Sequence, residues 1–441
     1  MKQIIAAVFA LLLAIACTAH AADNKQFRIQ PADDAWRAAL PHEAEAATQA
    51  FMDRLPKETV ERANAYFEGG YWLQLWNFLL GLAIAWVLLA GRRAARFRDW
   101  CQRVGRRPLF AEAIFGAGYS LAGWILSLPL TIYQGFVREH QYGMATQGFA
   151  AWFGEQLIGL AIALVISAIL VPPLYRLIRR FGDRWWMAAT ALAIAFQVIA
   201  IMVSPVWIDP LFNDYKPVQD AQVKEAVLAM AHANGVPADN VYEFNASRQT
   251  TRVSANVSGI FGAAQVRLND NLLRRTSLPQ IRSVMGHELG HYVLNHIYKA
   301  IAFAVIIFLV GFAFAQWGTR KVLRRWGERW GLQGEGDVAS LPVLGAVLSV
   351  FFLLTTPVFN TLVRVQEIEA DRFGLNLARE PVADAEVDLQ LTEYRKPDPG
   401  PIEEFLFFDH PSTRFRVHDA MRWREAMRSD APDKPWPAEK K

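Results

Sequence analysis

The sequence His287-Glu288-Leu289-Gly290-His291 lies shortly before a long apolar run and has the spacing of an HExxH motif. Residues four apart on a helix share a face, so the imidazoles of His287 and His291 can bind one zinc ion. Glu288 would lie beside the open position of that metal, where a carboxylate can take a proton from bound water and pass it to a leaving amine. The motif therefore predicts metal-assisted hydrolysis with Glu288 as general base.

The residues around this motif favour a helix. Ser277 and Gln280 have the spacing of a capping box, and the helix that they open is predicted to continue to about His296. His296 lies five residues beyond His291 and off the ligand face, so we expect it to end the helix and to have no role at the metal.

A catalytic zinc site with two histidines needs a third protein ligand. In Arg364-Val365-Gln366-Glu367-Ile368-Glu369-Ala370-Asp371, Glu367 and Asp371 lie four residues apart and share a helical face. Glu367 can therefore bind the metal while Asp371 accepts an N–H from a ligand histidine, and Glu369 points away from this face. The expected cofactor is one Zn²⁺ per chain.

The composition indicates a membrane protein. The chain has 441 residues, of which 53% are hydrophobic, and this fraction is too high for an ordinary soluble enzyme of that length. The net charge of +4 comes from basic residues grouped beside apolar stretches, which is typical of topology signals and argues against a nucleic-acid partner. Cys17 lies in an N-terminal apolar run and Cys101 in a basic loop, which excludes a disulfide framework and a cysteine zinc site.

Six stretches are long and apolar enough to cross the lipid bilayer as helices. They are residues 71–90, 110–131, 149–170, 185–207, 300–317 and 341–362. Alternation puts the basic clusters at residues 92–107, 176–184 and 320–329 on one side, which the positive-inside rule makes cytoplasmic. We therefore expect an integral protein of a bacterial inner membrane with its catalytic domain on the periplasmic side.

The first 21 residues allow two main interpretations, and a lipidation site at Cys17 is a weaker alternative. An apolar run at residues 4–16, followed by Ala19-His20-Ala21, has the pattern of a secretory signal peptide with cleavage after Ala21. The same run can instead stay attached as a first transmembrane helix. The number of spans is then six or seven, and the residues alone leave both open.

The polar and apolar segments give the predicted organisation of the chain. Residues 208–299 are the main polar insertion, with a helix expected at 220–233 and short strands at 240–244 and 265–268. The predicted divisions are 1–21, signal peptide or first transmembrane helix; 22–70, N-terminal extramembrane segment; 71–207, transmembrane helices; 208–299, metallopeptidase domain with the HExxH helix; 300–362, last two transmembrane helices; 363–428, third-ligand helix and remainder of that domain; and 429–441, a tail expected to be disordered.

Another histidine lies near the C-terminus, in Asp409-His410-Pro411, and precedes Arg414 and Arg416. A histidine and an arginine beside a tetrahedral intermediate can stabilise its developing oxyanion. Taken alone, this pattern fits a surface histidine beside a turn proline better.

The ordered set of motifs resembles the type 1 CAAX prenyl proteases, or a-factor-converting zinc metallopeptidases. The resemblance spans nearly the whole chain. The sequences that carry it are Leu128-Pro129-Leu130-Thr131-Ile132-Tyr133-Gln134-Gly135-Phe136-Val137, Glu139-His140-Gln141-Tyr142-Gly143, the run HELGHYVLNH from His287 to His296, the run from Glu367 to Asp371, and His410-Pro411 with Arg416.

This resemblance implies a mainly α-helical fold, in which seven transmembrane helices, or six if the first is cleaved as a signal, form a water-filled chamber capped by a gluzincin-like zinc-metallopeptidase domain. It implies Glu367 as the third ligand, with Asp371 in support. His410 and Arg416 would contribute to binding of substrate or transition state. It also implies a substrate-binding edge at Ser254-Ala255-Asn256, where the family has Asn-Ala-Tyr, so the family's Asn and aromatic residue are both replaced here.

The leading hypothesis is zinc-dependent cleavage, by metal-activated water, of a polypeptide that is prenylated, membrane-associated or partly unfolded. CAAX processing follows from the resemblance, whereas turnover of damaged membrane or envelope proteins fits an outward-facing site. A non-catalytic membrane chaperone or scaffold is a weaker alternative, because such relatives usually lose the base or a ligand. A transporter would account for the helices but not for HExxH with its distant carboxylate.

Overall fold

A computed structural model describes residues 28–259 and 264–428. The fold is mainly helical, as predicted, with one small sheet. The predicted signal peptide or first helix at residues 1–21 and the predicted disordered tail at 429–441 lie outside the described residues.

Sixteen helices and four strands make up the described part of the chain. The helices are α1 Asp34–Ala38, α2 Ala44–Met52, α3 Lys57–Leu89, α4 Arg93–Gly105, α5 Pro108–Ile132, α6 Arg138–Gln141, α7 Phe149–Phe181, α8 Trp185–Val203, α9 Ala221–Ala233, α10 Asp270–Arg275, α11 Leu278–Val293, α12 His296–Trp330, α13 Leu341–Ala378, α14 Pro381–Leu391, α15 Pro401–Phe407 and α16 Thr413–Arg428. The strands are β1 Tyr215–Pro217, β2 Val241–Phe244, β3 Ala255–Ser258 and β4 Gln265–Asn269. Short 3₁₀ and π turns join some of the helices.

Five helical segments in the described residues are long and apolar enough to cross a membrane. They are Lys57–Gly105, Pro108–Gln141, Phe149–Leu211, His296–Trp330 and Val338–Ala378. Six separate spans are predicted in this part of the chain, and that number is corrected by this count; the possible seventh, at residues 4–16, lies outside the described residues. Two predicted stretches, 149–170 and 185–207, belong to the one segment Phe149–Leu211, because α7 and α8 follow each other without a non-helical loop. A turn at Gly182, with φ of +50°, lets α8 pack against α7.

Two long helices carry the chain from apolar to polar surroundings without a break. α3 begins at Lys57, before the predicted span at 71–90, and α13 continues to Ala378, beyond the predicted end at residue 362. With a rise of about 1.5 Å per residue, Glu367 lies about 40 Å along α13 from its first turn. The acidic segment, residues 364–371, is thus held rigidly by a helix that starts at the far end of the bundle.

The three basic clusters meet at that far end. Arg98 of the first cluster pairs with the buried Asp337, just before α13, and Arg320 Nη2 of the third lies 2.7 Å from Asp183 of the second. Since α13 starts beside this network and ends among the HExxH residues, the basic clusters and the acidic segment lie at opposite ends of the helical bundle.

The polar insertion contains the sheet, with strand order β1-β2-β4-β3. β2 and β4 pair in parallel and correspond to the predicted strands, while β1 and β3 pair antiparallel at the two edges. The predicted helix at 220–233 is α9, whose first turn is capped by the Asp220 carboxylate. Val266 of β4, Val227 of α9 and Leu289 of α11 are fully buried together, so the sheet and α9 hold the HExxH helix from behind.

Helices α11 and α13 cross at very short range through small residues. A Cβ atom on Gly374 would lie 2.8 Å from the His287 backbone nitrogen, and one on Gly290 would lie 3.2 Å from the Ala370 Cα. Both distances are shorter than an ordinary carbon contact, so the crossing depends on glycine. It brings the histidine face of α11 onto the carboxylate face of α13.

Candidate metal centre and active site

The predicted ligands of α11 and α13 meet where these helices cross. His287, His291 and Glu367 each present one ligand atom, and the three atoms lie within 4.8 Å of one another. The two histidine Nε2 atoms are 3.1 Å apart, and each lies 3.3 Å from an oxygen of Glu367. Two imidazole nitrogens and one carboxylate are a donor set that zinc uses in catalytic sites, with a fourth position for water or substrate.

Asp371 lies on the other side of the His287 ring. His287 Nδ1–H donates to Asp371 Oδ1 at 2.7 Å, so Nε2 is the ring nitrogen that is left to bind a metal. Arg416 of α16 donates to both oxygens of Asp371, from Nη2 at 2.7 Å and from Nε at 2.9 Å. Its Nη2 also lies 3.3 Å from Glu367 Oε2. Arg416 therefore fixes both carboxylates of α13.

The prediction that His296 ends the HExxH helix is wrong. α11 ends at Val293, Asn295 takes a left-handed conformation with φ of +58°, and His296 begins α12. This turn brings His296 Nδ1 to 2.8 Å from His291 Nδ1, and Glu369 Oε2 lies 3.0 Å from His296 Nε2. Because the carboxylate can only accept, His296 carries its proton on Nε2 and accepts the Nδ1–H of His291. His291 Nε2 is thereby left free for a metal, as His287 Nε2 is.

The electrostatics of the cluster favour a bound cation. Burial lowers the pKa of His287, but hydrogen bonds with Asp371 and Glu367 outweigh burial and raise that pKa to about 10. The carboxylates thus stabilise positive charge at the imidazoles, and a divalent metal supplies that charge in place of protons. Burial also raises the pKa of the Glu288 carboxyl, against the opposing effect of the two histidines. A raised carboxyl pKa suits a general base that works near neutral pH.

A cavity of about 240 Å³ opens over these residues, and Glu288 and Glu367 form part of its wall. His410 enters it from the loop before α16, with its Nε2 3.3 Å from Glu367 Oε2 and its Nδ1 2.8 Å from Asp409 Oδ1. The His410 side chain is 30% exposed, compared with 9% for Arg416. Of the two groups predicted to bind substrate or transition state, His410 is therefore the more accessible to a ligand.

The predicted substrate edge reaches the cavity in part. Ser254 and Ala255 line it, and Ala255 begins β3, which among the described strands pairs only with β4. Asn256 is not among the described residues that line this cavity. Two of the three residues of the predicted edge therefore face the same space as Glu288.

Two carboxylates of the site were not predicted from the sequence, and both lie on α14. Asp384 and Asp388 line the cavity, with Asp388 Oδ1 3.3 Å from Arg416 Nη1, and the Ser283 hydroxyl donates to Asp384. Burial and the nearby Asp371 raise the pKa of Asp384 to about 6. The signal that could have found them is their four-residue spacing, which puts both on one face of a short helix.

Membrane-crossing helices, an HExxH helix and a facing carboxylate together define an integral-membrane metallopeptidase. Family models agree with this class. Residues 38–214 match the N-terminal domain of CAAX prenyl proteases, described as five membrane helices, and residues 217–424 match peptidase family M48.

Relatives and a solved structure extend the match over most of the chain. YhfN of Bacillus subtilis (strain 168), described as an uncharacterized metalloprotease, is 30% identical over 363 residues, which are 81% of this chain and 85% of the relative. CAAX prenyl protease 1 of Saccharomyces cerevisiae is 25% identical over 317 residues, 66% of this chain and 68% of that protein. The crystal structure of S. mikatae Ste24p shares the fold, with a TM-score of 0.70 at 18% identity, covering 95% of this chain and 98% of the other.

The chain therefore belongs to peptidase family M48 and, within it, to the CAAX prenyl protease 1 family. It is a membrane protease that acts on polypeptides and depends on a metal.

Proposed function

We propose that this protein is a zinc metalloendopeptidase in which His287, His291 and Glu367 hold a single Zn²⁺. The observation that carries the proposal is the convergence of three ligand atoms within 4.8 Å on two helices that glycine contacts lock together. The two imidazoles are held by Asp371 and His296, so that both Nε2 atoms face Glu367. This donor set matches catalytic zinc and leaves a position open.

When bound, zinc supplies Lewis acidity and makes water a nucleophile at neutral pH. The chain's own contribution to proton transfer is Glu288, which lines the cavity beside His287. Its carboxylate accepts a proton from the attacking water and delivers it to the nitrogen that leaves the cleaved peptide bond. The raised pKa of the Glu288 carboxyl favours the first of these transfers.

His410 is proposed to donate a hydrogen bond to the carbonyl oxygen of the cleaved bond as negative charge develops there. Its exposure to the cavity and its distance of 3.3 Å from Glu367 support this role. Arg416 acts beside it, holding Asp371 and Glu367 in place while its positive charge favours the same oxyanion.

The substrate backbone is proposed to lie along Ser254, Ala255 and Asn256. An edge strand offers unpaired backbone groups that can add an extended peptide as a further strand. β3 is such an edge, and Ser254 and Ala255 reach the cavity that contains Glu288. The peptide bond would then pass across the zinc-binding face of α11.

The proposed substrate is a prenylated polypeptide cleaved near its C-terminus. The yeast, plant and mouse relatives are described as CAAX prenyl protease 1 or its homologues, and this supports a prenylated substrate. A membrane-spanning bundle that continues into the catalytic domain through α3 and α13 also suits a substrate that carries a lipid anchor.

Turnover of damaged membrane or envelope proteins is the second candidate, and one observation favours it. The basic clusters gather at the end of the bundle opposite the acidic segment. By the positive-inside rule, that end is cytoplasmic, and the catalytic domain of a bacterial inner-membrane protein would face the periplasm. Prenylated substrates would be expected on the other side.

The test compares wild type with Glu288→Gln in detergent, using a farnesylated CAAX peptide and an unfolded reporter protein as substrates. Zinc content is measured in both proteins. We expect wild type to cleave at least one substrate, and Glu288→Gln to lose this activity while keeping its zinc. The substrate that wild type cleaves identifies the substrate class. Glu225→Gln, on the exposed face of α9, is the matched control and should cleave normally. Undiminished activity in Glu288→Gln would falsify the mechanism.

Orientation is tested separately with a thiol reagent that does not cross membranes. Single cysteines replace the exposed Asp239, in the metallopeptidase insertion, and the exposed Arg325, in a basic cluster, after Cys17 and Cys101 are changed to serine. A periplasmic site requires labelling of position 239 in intact cells and of position 325 only after lysis. The reverse pattern would put the catalytic domain in the cytosol and remove the support for envelope-protein turnover.

A further inference from the structure

A second cavity, of about 410 Å³, adjoins the catalytic one. Tyr394 and Arg395, from the segment between α14 and α15, line both cavities. The second cavity extends from them toward α3 and α6, where Tyr66 and Arg138 line it. A peptide that crosses the catalytic site can therefore continue past Arg395 into the second cavity.

Positive charge predominates in this second cavity. Arg138, Arg252 and Arg395 line it, and none of the described residues in its wall carries a carboxylate. Arg252 is already engaged, since its Nη2 lies 2.7 Å from Glu139 Oε2. Glu139 also lies 3.9 Å from Arg138, so one carboxylate faces two of the three guanidinium groups. The third guanidinium, that of Arg395, forms no ion pair with this carboxylate.

Arg395 differs from the neighbouring arginines in having no hydrogen bond or ion pair to any described residue. The charge of Arg395 acts on two carboxylates, Asp388 and Asp409, but both have other hydrogen-bond partners: Asp388 Oδ1 lies 3.3 Å from Arg416 Nη1, and Asp409 Oδ1 lies 2.8 Å from His410 Nδ1. The Arg395 side chain is half-buried, so its charge is only partly hydrated. A cation that is half-buried in a cavity wall without a partner is prepared to receive an anion.

We propose that Arg395 binds a carboxylate of the peptide substrate, which extends from the zinc site into the second cavity. The guanidinium fork matches a carboxylate with two parallel hydrogen bonds, and the excess positive charge of the cavity attracts the same group. Tyr66, Tyr71 and Phe407 give the cavity aromatic walls that accommodate the apolar part of the residue carrying the charge. This inference rests on the proposed function, because it places the substrate across Glu288.

The carboxylate can come from the substrate's free C-terminus or from an aspartate or glutamate side chain. Two sets of quenched fluorescent peptides distinguish these sources. The first set differs only in a free or an amidated C-terminus; the second is amidated throughout and carries Glu or Gln at each position in turn. The values of kcat/KM are measured for wild type, Arg395→Gln and Arg395→Lys. Arg422→Gln serves as matched control, since it removes an exposed positive charge from α16.

Wild type should prefer one carboxylate peptide to its neutral partner by about tenfold or more, the range of a charge-assisted hydrogen bond. Arg395→Gln should bring this ratio close to one, Arg395→Lys should keep part of it, and Arg422→Gln should keep it whole. A preference for the free C-terminus or for glutamate identifies which carboxylate of the substrate binds Arg395. Equal cleavage of all peptides by wild type, or a ratio that survives Arg395→Gln, overturns the proposal.

Binding gives a readout that does not depend on cleavage. The same labelled peptides are titrated by fluorescence anisotropy into the Glu288→Gln protein, with and without the Arg395→Gln change. If the carboxylate peptide binds more tightly than its neutral partner and Arg395→Gln abolishes this difference, the Arg395 site is supported. Absence of hydrolysis by wild type would then reject the proposed function alone. Equal affinities for charged and neutral peptides overturn the site even where cleavage is rapid.

Discussion

The Nδ1 atoms of His291 and His296 lie 2.8 Å apart, so one ring must donate to the other. Glu369 decides the direction, because it accepts from the Nε2 of His296 at 3.0 Å. His291 consequently carries its proton on Nδ1 and offers Nε2 to the metal. On the other side of the centre Asp371 gives His287 the same tautomer. The two histidine ligands are thus oriented by different hydrogen-bond acceptors: a carboxylate orients His287, and a histidine–carboxylate pair orients His291.

Replacing His296 by alanine should weaken metal retention. Without the acceptor, His291 can rotate and can place its proton on either nitrogen, and loss of such support typically costs about 10- to 100-fold in metal affinity. Zinc content is measured after dialysis against a series of chelator concentrations. His232→Ala is the control, because this exposed histidine on α9 contacts the Ala238 carbonyl far from the centre. Equal zinc retention in His296→Ala and wild type would show that the hydrogen bond does not hold His291.

Gly374→Ala should separate the two helices that carry the ligands. The new Cβ would lie 2.8 Å from the His287 backbone nitrogen, and neither backbone can move aside easily at the crossing. Overpacking of this kind typically costs about 1–3 kcal/mol. We expect a lower Tm together with weaker zinc binding. Gly159→Ala on α7, where nothing lies within 4 Å of the new atom, should leave both unchanged or raise Tm slightly.

Local sequence patterns predicted the elements of the fold well. The capping box at Ser277 and Gln280 opens α11 as expected, because the residues that form it are three apart in the chain. The apolar stretches coincide with long helices for the same reason. Their number was wrong because hydropathy marks where the chain is apolar but does not show how two such stretches are joined; the three-residue helical turn Gly182–Arg184 joins α7 to α8 within one segment.

The candidate site was predicted where a single helix carries the pattern. His287 and His291 share a face of α11, and Glu367 and Asp371 share a face of α13. The supporting groups were missed where a turn or a third helix supplies the contact. His296 was judged on the assumption that α11 continues, whereas Asn295 turns the chain back toward His291. Contacts between elements distant in sequence leave no local period to detect.

Asp384→Asn should stabilise the protein more at neutral pH than in acid. The folded pKa of Asp384, about 6, lies above the ordinary aspartate value, so the folded state favours the protonated carboxyl. As pH rises from about 4 to 6, the unfolded chain loses this proton first, and stability falls by at most about 3 kcal/mol. The neutral amide keeps an acceptor for the Ser283 hydroxyl without that cost.

The measurement for Asp384→Asn is Tm in detergent, for variant and wild type side by side, between pH 4 and pH 8. The difference in Tm should be small at pH 4, grow up to about pH 6 and then level off. A difference that is constant with pH, or largest in acid, contradicts a raised pKa at this carboxyl. Comparing the two proteins at each pH removes the effect of other groups that titrate in both.

Asp337→Ala should destabilise the end of the bundle where the basic clusters meet. Both partners of the Arg98–Asp337 pair are buried, with side-chain exposures of 6% and 3%, and Asp337 also accepts the backbone N–H groups of Gln333 and Ala339. Removing one partner of a buried pair leaves the other charge poorly compensated and costs about 3–5 kcal/mol. Arg98 keeps its contact with Asp99, so the lower end of this range is expected, measured as a fall in Tm.

The Arg320–Asp183 pair at the same end provides the matched control, because the Asp183 side chain is 86% exposed. An exposed pair contributes less than about 1 kcal/mol, so Asp183→Ala should change Tm little. Similar losses in the two variants would mean that burial does not decide the strength of these pairs. A large loss confined to Asp337→Ala would establish that the first turn of α13, and with it the helix that carries Glu367, is anchored at the basic end of the bundle.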